Sequence, residues 1–203
     1  MDGTTLLATV TRGADLALPL RVAAVLFVSA LTAAAAQISI PLPFTPVPFT
    51  LQPMIVLIGG AALGSRLGMS SQALYLLAGV AGLPVFAASV VLPPGIGRLI
   101  GPTGGYLLSY PIAAFVTGWL AERSFDRRYI TSLTAMTCGL AIIFACGVLW
   151  LAALARPAGV GLDAALRTGL YPFLPADLIK IAIASAILPT VWKLIGQKTE
   201  GRR

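Results

Sequence analysis

The sequence predicts an all-α integral membrane protein with six transmembrane helices and both termini in the cytoplasm. Three observations predict it: an apolar composition, six apolar stretches, and a one-sided placement of basic residues. Of the 203 residues 58% are hydrophobic and only 10% charged, with a mean hydropathy of +0.92. A soluble domain of that composition would expose large apolar patches and aggregate, so the bilayer is its natural solvent. The whole chain, 1–203, reads as one membrane domain.

Each stretch is bounded by Pro/Gly-rich or charged punctuation. They run Leu18–Ser39, Thr50–Gly64, Leu67–Leu83, Thr103–Ala121, Ile130–Ala155 and Pro175–Ile195. A helix needs about 20 apolar residues to span a bilayer, so the second is short and calls for shielding or a locally thin membrane. Five spans plus a re-entrant segment is the alternative. The first stretch exceeds the h-region of a cleavable signal, and another membrane segment follows it, so it counts as a span.

Basic residues give the orientation. With both termini inside, Arg12, Arg21, Arg66, Arg123, Arg127, Arg128, Lys193, Lys198, Arg202 and Arg203 are cytoplasmic, and Arg98, Arg156 and Arg167 are outside. Ten against three follows the positive-inside rule, and an odd number of spans would break the pattern. The net charge of +7 is therefore topological, and no Lys/Arg stripe with stacking aromatics suggests nucleic acid. Inner loops are short and basic. The three outer loops, 40–49, 84–102 and 156–174, are longer and rich in Pro and Gly, which suits stiff covers over one face of a bundle or, equally, plain connectors.

Several chemistries are excluded. No histidine occurs, which removes the commonest general base and metal ligand. There is no phosphate-binding loop, no zinc motif and no nucleophile elbow. Cys138 and Cys146, eight residues apart in one apolar stretch, would lie about 12 Å apart along a helix, too far for a disulfide. The chain is expected to be no enzyme, with no catalytic residue, metal or cofactor of its own. No internal repeat points to an inverted-repeat carrier.

The sharpest signal is Asp177 with Lys180, charges well inside an apolar stretch and on one helical face at i, i+3. Such charges usually face a polar cavity and mark function, although an internal ion pair locking the last helix is the plainer account. Arg98 stands before Gly101-Pro102-Thr103-Gly104-Gly105-Tyr106. That segment opens a helix whose N-terminus, with the arginine, can grip a carboxylate; alternatively Arg98 is a solvated loop charge and the glycines serve packing. Gln52, beside Pro53, reads as an interhelical hydrogen-bond donor. Phe44, Tyr75, Phe86 and Tyr106 are candidate walls of an apolar pocket. Ala30, Ala33, Ala34, Ala35 and Ala36 give the first helix a small-residue face for close packing, internal or against another subunit. A pocket uniting these groups suits a small, mostly apolar organic acid with a hydrogen-bonding head.

Four segments carry a family resemblance: Pro41-Leu-Pro-Phe-Thr-Pro-Val-Pro-Phe-Thr-Leu-Gln52, Tyr75-Leu-Leu-Ala-Gly-Val-Ala-Gly-Leu-Pro-Val-Phe86, Gly101-Pro-Thr-Gly-Gly-Tyr106 and Pro172-Phe-Leu-Pro-Ala-Asp-Leu-Ile-Lys180. In that order they resemble the BioY family, the biotin-capturing S components of energy-coupling factor (ECF) transporters, over about Arg21 to Ile195. The resemblance implies an S-component-like bundle in the bacterial cytoplasmic membrane. It also implies biotin as ligand, and as partners a transmembrane T subunit and two ATPase subunits that use the ATP. Asp177 would accept from the ureido N–H groups, Lys180 would donate to the ureido carbonyl, Arg98 would hold the carboxylate, and Phe86 or Tyr106 would cover the ring. Gln52, Thr103, Tyr75 and Phe44 complete the candidate contacts. The family's amide near the second outer loop has no counterpart, because the chain has no asparagine and Ala87-Ala88-Ser89 stands there; Ser89 is the polar replacement. Docking on the partner is implied at the Ala30/Ala34 face. The alternatives are capture of another vitamin, or a carrier that works without the ATPases.

Overall fold

A computed structural model describes residues 5–10, 17–88, 95–154 and 159–200. In chain order the elements are α1 (Leu6–Val10), α2 (Ala17–Gln37), β1 (Ser39–Ile40), β2 (Phe49–Thr50), α3 (Gln52–Leu63), α4 (Ser65–Val80), α5 (Gly97–Ile100), α6 (Gly104–Ala121), a 3-10 turn (Phe125–Arg127), α7 (Tyr129–Ala153), α8 (Leu162–Gly169) and α9 (Leu174–Glu200). Among the described residues three helices are long and apolar enough to cross a membrane, Leu18–Gln37, Tyr129–Ala153 and Leu174–Ile195. α3, with 12 residues, is about 18 Å long, the short second segment that the sequence suggests. Leu26, Phe27, Leu149, Ile179 and Ile183 point outward from α2, α7 and α9, as side chains in contact with lipid do.

Several boundaries differ from the expectation. The first helix stops at Gln37, because Ser39 and Ile40 pair antiparallel with Thr50 and Phe49. The segment 40–49, expected as the first outer loop, is thus a hairpin with a Pro-rich tip. The second and third loops each hold a short helix, α5 and α8. α4 ends at Val80, where Gly82 turns the chain at φ +94°, a conformation that favours glycine.

α6 is the central element, packed against α3, α4 and α7. Ala113 and Ala114 are fully buried. A Cβ on Gly118 would sit 2.5 Å from the Gly64 carbonyl carbon and 2.6 Å from the Ser65 nitrogen, and one on Gly60 would sit 2.5 Å from the Ala114 carbonyl oxygen. The bare Cα atoms let three backbones cross in contact, and this is how membrane helices gain packing without a hydrophobic driving force.

The α3–α4 corner is capped from outside. Both the backbone N–H and the hydroxyl of Ser65 donate to Glu122 Oε1 at 2.8 Å, satisfying a donor that a helix start leaves open. Glu122→Ala is expected to cost about 0.5–2 kcal/mol, the range for losing an N-cap. Glu122→Gln, which keeps an acceptor, should recover most of it. Melting midpoints in detergent measure both, and an unchanged midpoint for the alanine variant would show that the cap contributes nothing.

A second inter-loop tie was hidden in the sequence. Asp126 is buried and accepts a 2.6 Å hydrogen bond from Trp192 Nε1 of α9, while the Arg127 guanidinium lies 3.4 Å over the same indole. Burial pushes the Asp126 carboxyl above its usual range, against the opposing pull of the Trp192 bond and Arg127. α9 is thereby fixed at the end opposite its two buried charges.

Candidate functional site

The first turns of α9 carry Asp177 and Lys180 inward. Asp177 is 5% exposed, and the Lys180 ammonium donates to its Oδ1 at 2.7 Å. The ammonium also donates to the Thr50 carbonyl at 2.7 Å and lies 3.6 Å from the centre of the Phe49 ring. One cation therefore ties α9 to the hairpin. An acid in the first turn of a helix also meets the positive end of its dipole. Phe49 stacks on Phe173 at 6.5 Å, and the Thr45 hydroxyl donates to the Thr168 carbonyl at 2.6 Å. Three contacts hold the hairpin against the segments around α8 and α9.

Arg98 sits on α5 and is 8% exposed, which removes the reading of a solvated loop charge. Burial pulls its guanidinium down from its usual value. A guanidinium starts so high that it stays charged. The Thr103 hydroxyl donates to the Arg98 carbonyl at 3.4 Å, and Trp150 Nε1 of α7 donates to the Gly101 carbonyl at 2.9 Å. Side chains on Gly104 and Gly105 would collide with Leu99 and Trp150, so these glycines serve helix packing.

Asp177, Lys180 and Arg98 line one cavity, whose mostly apolar walls with a few convergent polar groups are of the kind small-molecule sites have. Gln52, Phe86, Thr103 and Tyr106 also line it. Gln52 is the interhelical donor expected of it: its Nε2 donates to the Tyr75 hydroxyl at 2.6 Å. Tyr75 itself is 1% exposed and stands behind the wall, with Phe86 edge-on to it at 5.4 Å. The Tyr106 hydroxyl donates to the Gly169 carbonyl at 2.8 Å.

Two candidates fall elsewhere. Phe44 is 59% exposed at the hairpin tip and does not line the cavity; Phe49, five residues on, takes that wall. The residues between the paired Ile40 and Phe49 divide: Phe44 at the tip is exposed, whereas Val47 and Pro48 line the cavity. Ser89 lies outside the described residues. The sequence reading missed Phe49, Tyr110, Phe144 and Phe173, all of them lining residues. Aromatic residues in apolar helices carry no signal of which way they face. The five alanines of α2 divide: Ala35 and Ala36 are buried and Ala33 half-buried, whereas Ala30 and Ala34 are exposed on the outward face.

Comparison with known proteins shows the family and the fold. The family model "BioY family" matches residues 9–197. A probable biotin transporter BioY of Pyrococcus horikoshii is 40% identical over 158 residues, 78% of this chain and 87% of that protein. The biotin transporter BioY of Thermotoga maritima is 40% identical over 166 residues, 82% and 92% of the two chains. Among solved structures, the S-component for biotin from an ECF-type ABC transporter superposes with a TM-score of 0.74 at 25% identity, covering 85% of this chain and 90% of that one. By its matched residues, its relatives and its fold, the chain belongs to the BioY family.

Proposed function

We propose that this protein captures biotin and admits it across the membrane as the substrate-binding S component of an ATP-driven ECF-type transporter. The observation that carries the reading is the division of charge around the cavity. The Asp177–Lys180 pair and Arg98 come from different elements, α9 and α5, with aromatic and aliphatic walls between them. Biotin has the matching order of groups: a ureido ring with two N–H donors and a carbonyl, an apolar bicycle, and a valerate carboxylate. Asp177 accepts from the ureido N–H groups, Lys180 donates to the carbonyl, and Arg98 holds the carboxylate. Phe86 and Tyr106 cover the apolar part. The names of the relatives, biotin transporters, and of the solved neighbour support the same ligand.

The remaining assignments follow from this role. The bundle spans the bacterial cytoplasmic membrane six times with both termini inside, an orientation supported by the ten-to-three split of basic residues. The cavity then opens outward beneath the hairpin. The chain is no enzyme and carries no cofactor; a transmembrane subunit and two ATPases supply the energy. The exposed Ala30/Ala34 face of α2 is the docking surface, where small residues allow close helix approach.

Calorimetric titration of biotin into the purified, detergent-solubilised chain, with no other subunit present, tests the reading. Tight one-to-one binding is expected. A folded sample that binds riboflavin or thiamine but not biotin would overturn the ligand assignment.

A further inference from the structure

The cavity holds more hydrogen-bonding capacity than its charged groups account for. Tyr110 of α6 lines it and is 3% exposed, yet its hydroxyl has no hydrogen-bond partner among the described residues. Buried tyrosine hydroxyls usually find one. Its ring is held by stacking on Tyr75 at 6.4 Å, so the hydroxyl is positioned by packing alone. Gln52 is in a related state. Its Nε2 is committed to the Tyr75 hydroxyl at 2.6 Å, which fixes the amide, and its Oε1 has no partner among the described residues. Gln52 is 3% exposed.

Both groups line the same cavity as Asp177 and Lys180. Gln52 follows by two residues Thr50, whose carbonyl holds Lys180. Tyr110 lies one helical turn, about 6 Å, further along α6 than Tyr106 and the Arg98 segment before it. The needs of a urea exceed what the charged pair offers. A urea oxygen has two lone pairs, and two N–H groups stand beside it. The Lys180 ammonium already engages Asp177, the Thr50 carbonyl and the Phe49 ring, and Asp177 already accepts from Lys180.

We propose that Tyr110 and Gln52 form a second polar contact pair for the ligand head, Tyr110 donating to the ureido carbonyl and Gln52 Oε1 accepting from one ureido N–H. Tyr75 is then a positioning residue, acting through the Gln52 amide. The pair rests on the biotin reading of the site: Tyr110 fills the carbonyl lone pair that Lys180 leaves open, and Gln52 shares with Asp177 one of the two ureido N–H groups.

Biotin titration of the purified full chain in detergent, wild type against Tyr110→Phe, decides it. The variant keeps ring and volume and is expected to bind about fivefold to tenfold more weakly, the scale of one neutral hydrogen bond. Its ligand-free melting midpoint should not fall, because the hydroxyl bonds to no protein group; a structural role would lower it. The thiocarbonyl analogue of biotin, whose sulfur accepts poorly, should bind wild type and variant alike. Gln52→Met should weaken biotin binding on the same scale. Equal biotin affinity for wild type and Tyr110→Phe, or the same loss with both ligands, would overturn the pair and leave the biotin reading standing. No biotin binding by folded wild type would remove both.

Discussion

Asp177→Asn is expected to weaken biotin binding at least about thirtyfold, and Lys180→Met by a similar factor. Thirtyfold is about 2 kcal/mol, the scale for losing a buried charged hydrogen bond. Each change acts twice. It removes a ligand contact, and it leaves the other member of a 2.7 Å pair buried without its counterion. The asparagine variant keeps shape and an acceptor oxygen, so a loss there reports charge. The methionine variant also releases the Thr50 carbonyl and with it one restraint on the hairpin. Calorimetry on both variants, with melting midpoints recorded in parallel, separates the two effects. Wild-type affinity in both would return the pair to a helix lock with no part in binding.

The largest effect on stability is expected at Gly118. In Gly118→Val the new side chain meets backbone of α3 and α4 within 2.5–2.7 Å, and backbone cannot rotate aside as a side chain can. Overpacking costs about 1–3 kcal/mol where neighbours relax, and here the upper end applies. For a chain of this length that lowers the melting midpoint by about 6–12 °C. Ala141→Val on the exposed face of α7 adds similar bulk toward lipid and should leave the midpoint unchanged. Equal behaviour of the two variants would mean that α6 does not cross its neighbours so closely.

What the sequence made legible was charge out of place. Asp177 and Lys180 stand out because an apolar stretch tolerates few ionised groups, Arg98 because it precedes a glycine-rich helix start, and all three line the cavity. The short α3 was legible from its length alone. Aromatic residues were not: Phe44 and Phe49 are equivalent as sequence, and Phe49 is set apart by partners distant in the chain, the Phe173 ring and the Lys180 ammonium. Tyr110 was invisible for the same reason, one tyrosine among many apolar neighbours. Asp126 was masked by the arginines beside it, and its burial follows from Trp192, 66 residues away. Such long-range partners leave no local pattern to read. The glycines of 101–106 allowed two readings, and packing against Leu99 and Trp150 explains two of them.

The three ionised walls also set a charge balance. Among the described residues that line it, two cationic side chains, Arg98 and Lys180, stand with one anionic one, Asp177, a formal surplus of one positive charge. A ligand with a single carboxylate brings the total to zero. An amide or ester of the same acid fits the same shape but leaves the surplus in place, inside an enclosure where field lines are poorly screened. For the biotin site proposed above, the free acid is therefore expected to bind more tightly than its amide or ester on charge alone, which competition titration of the two measures.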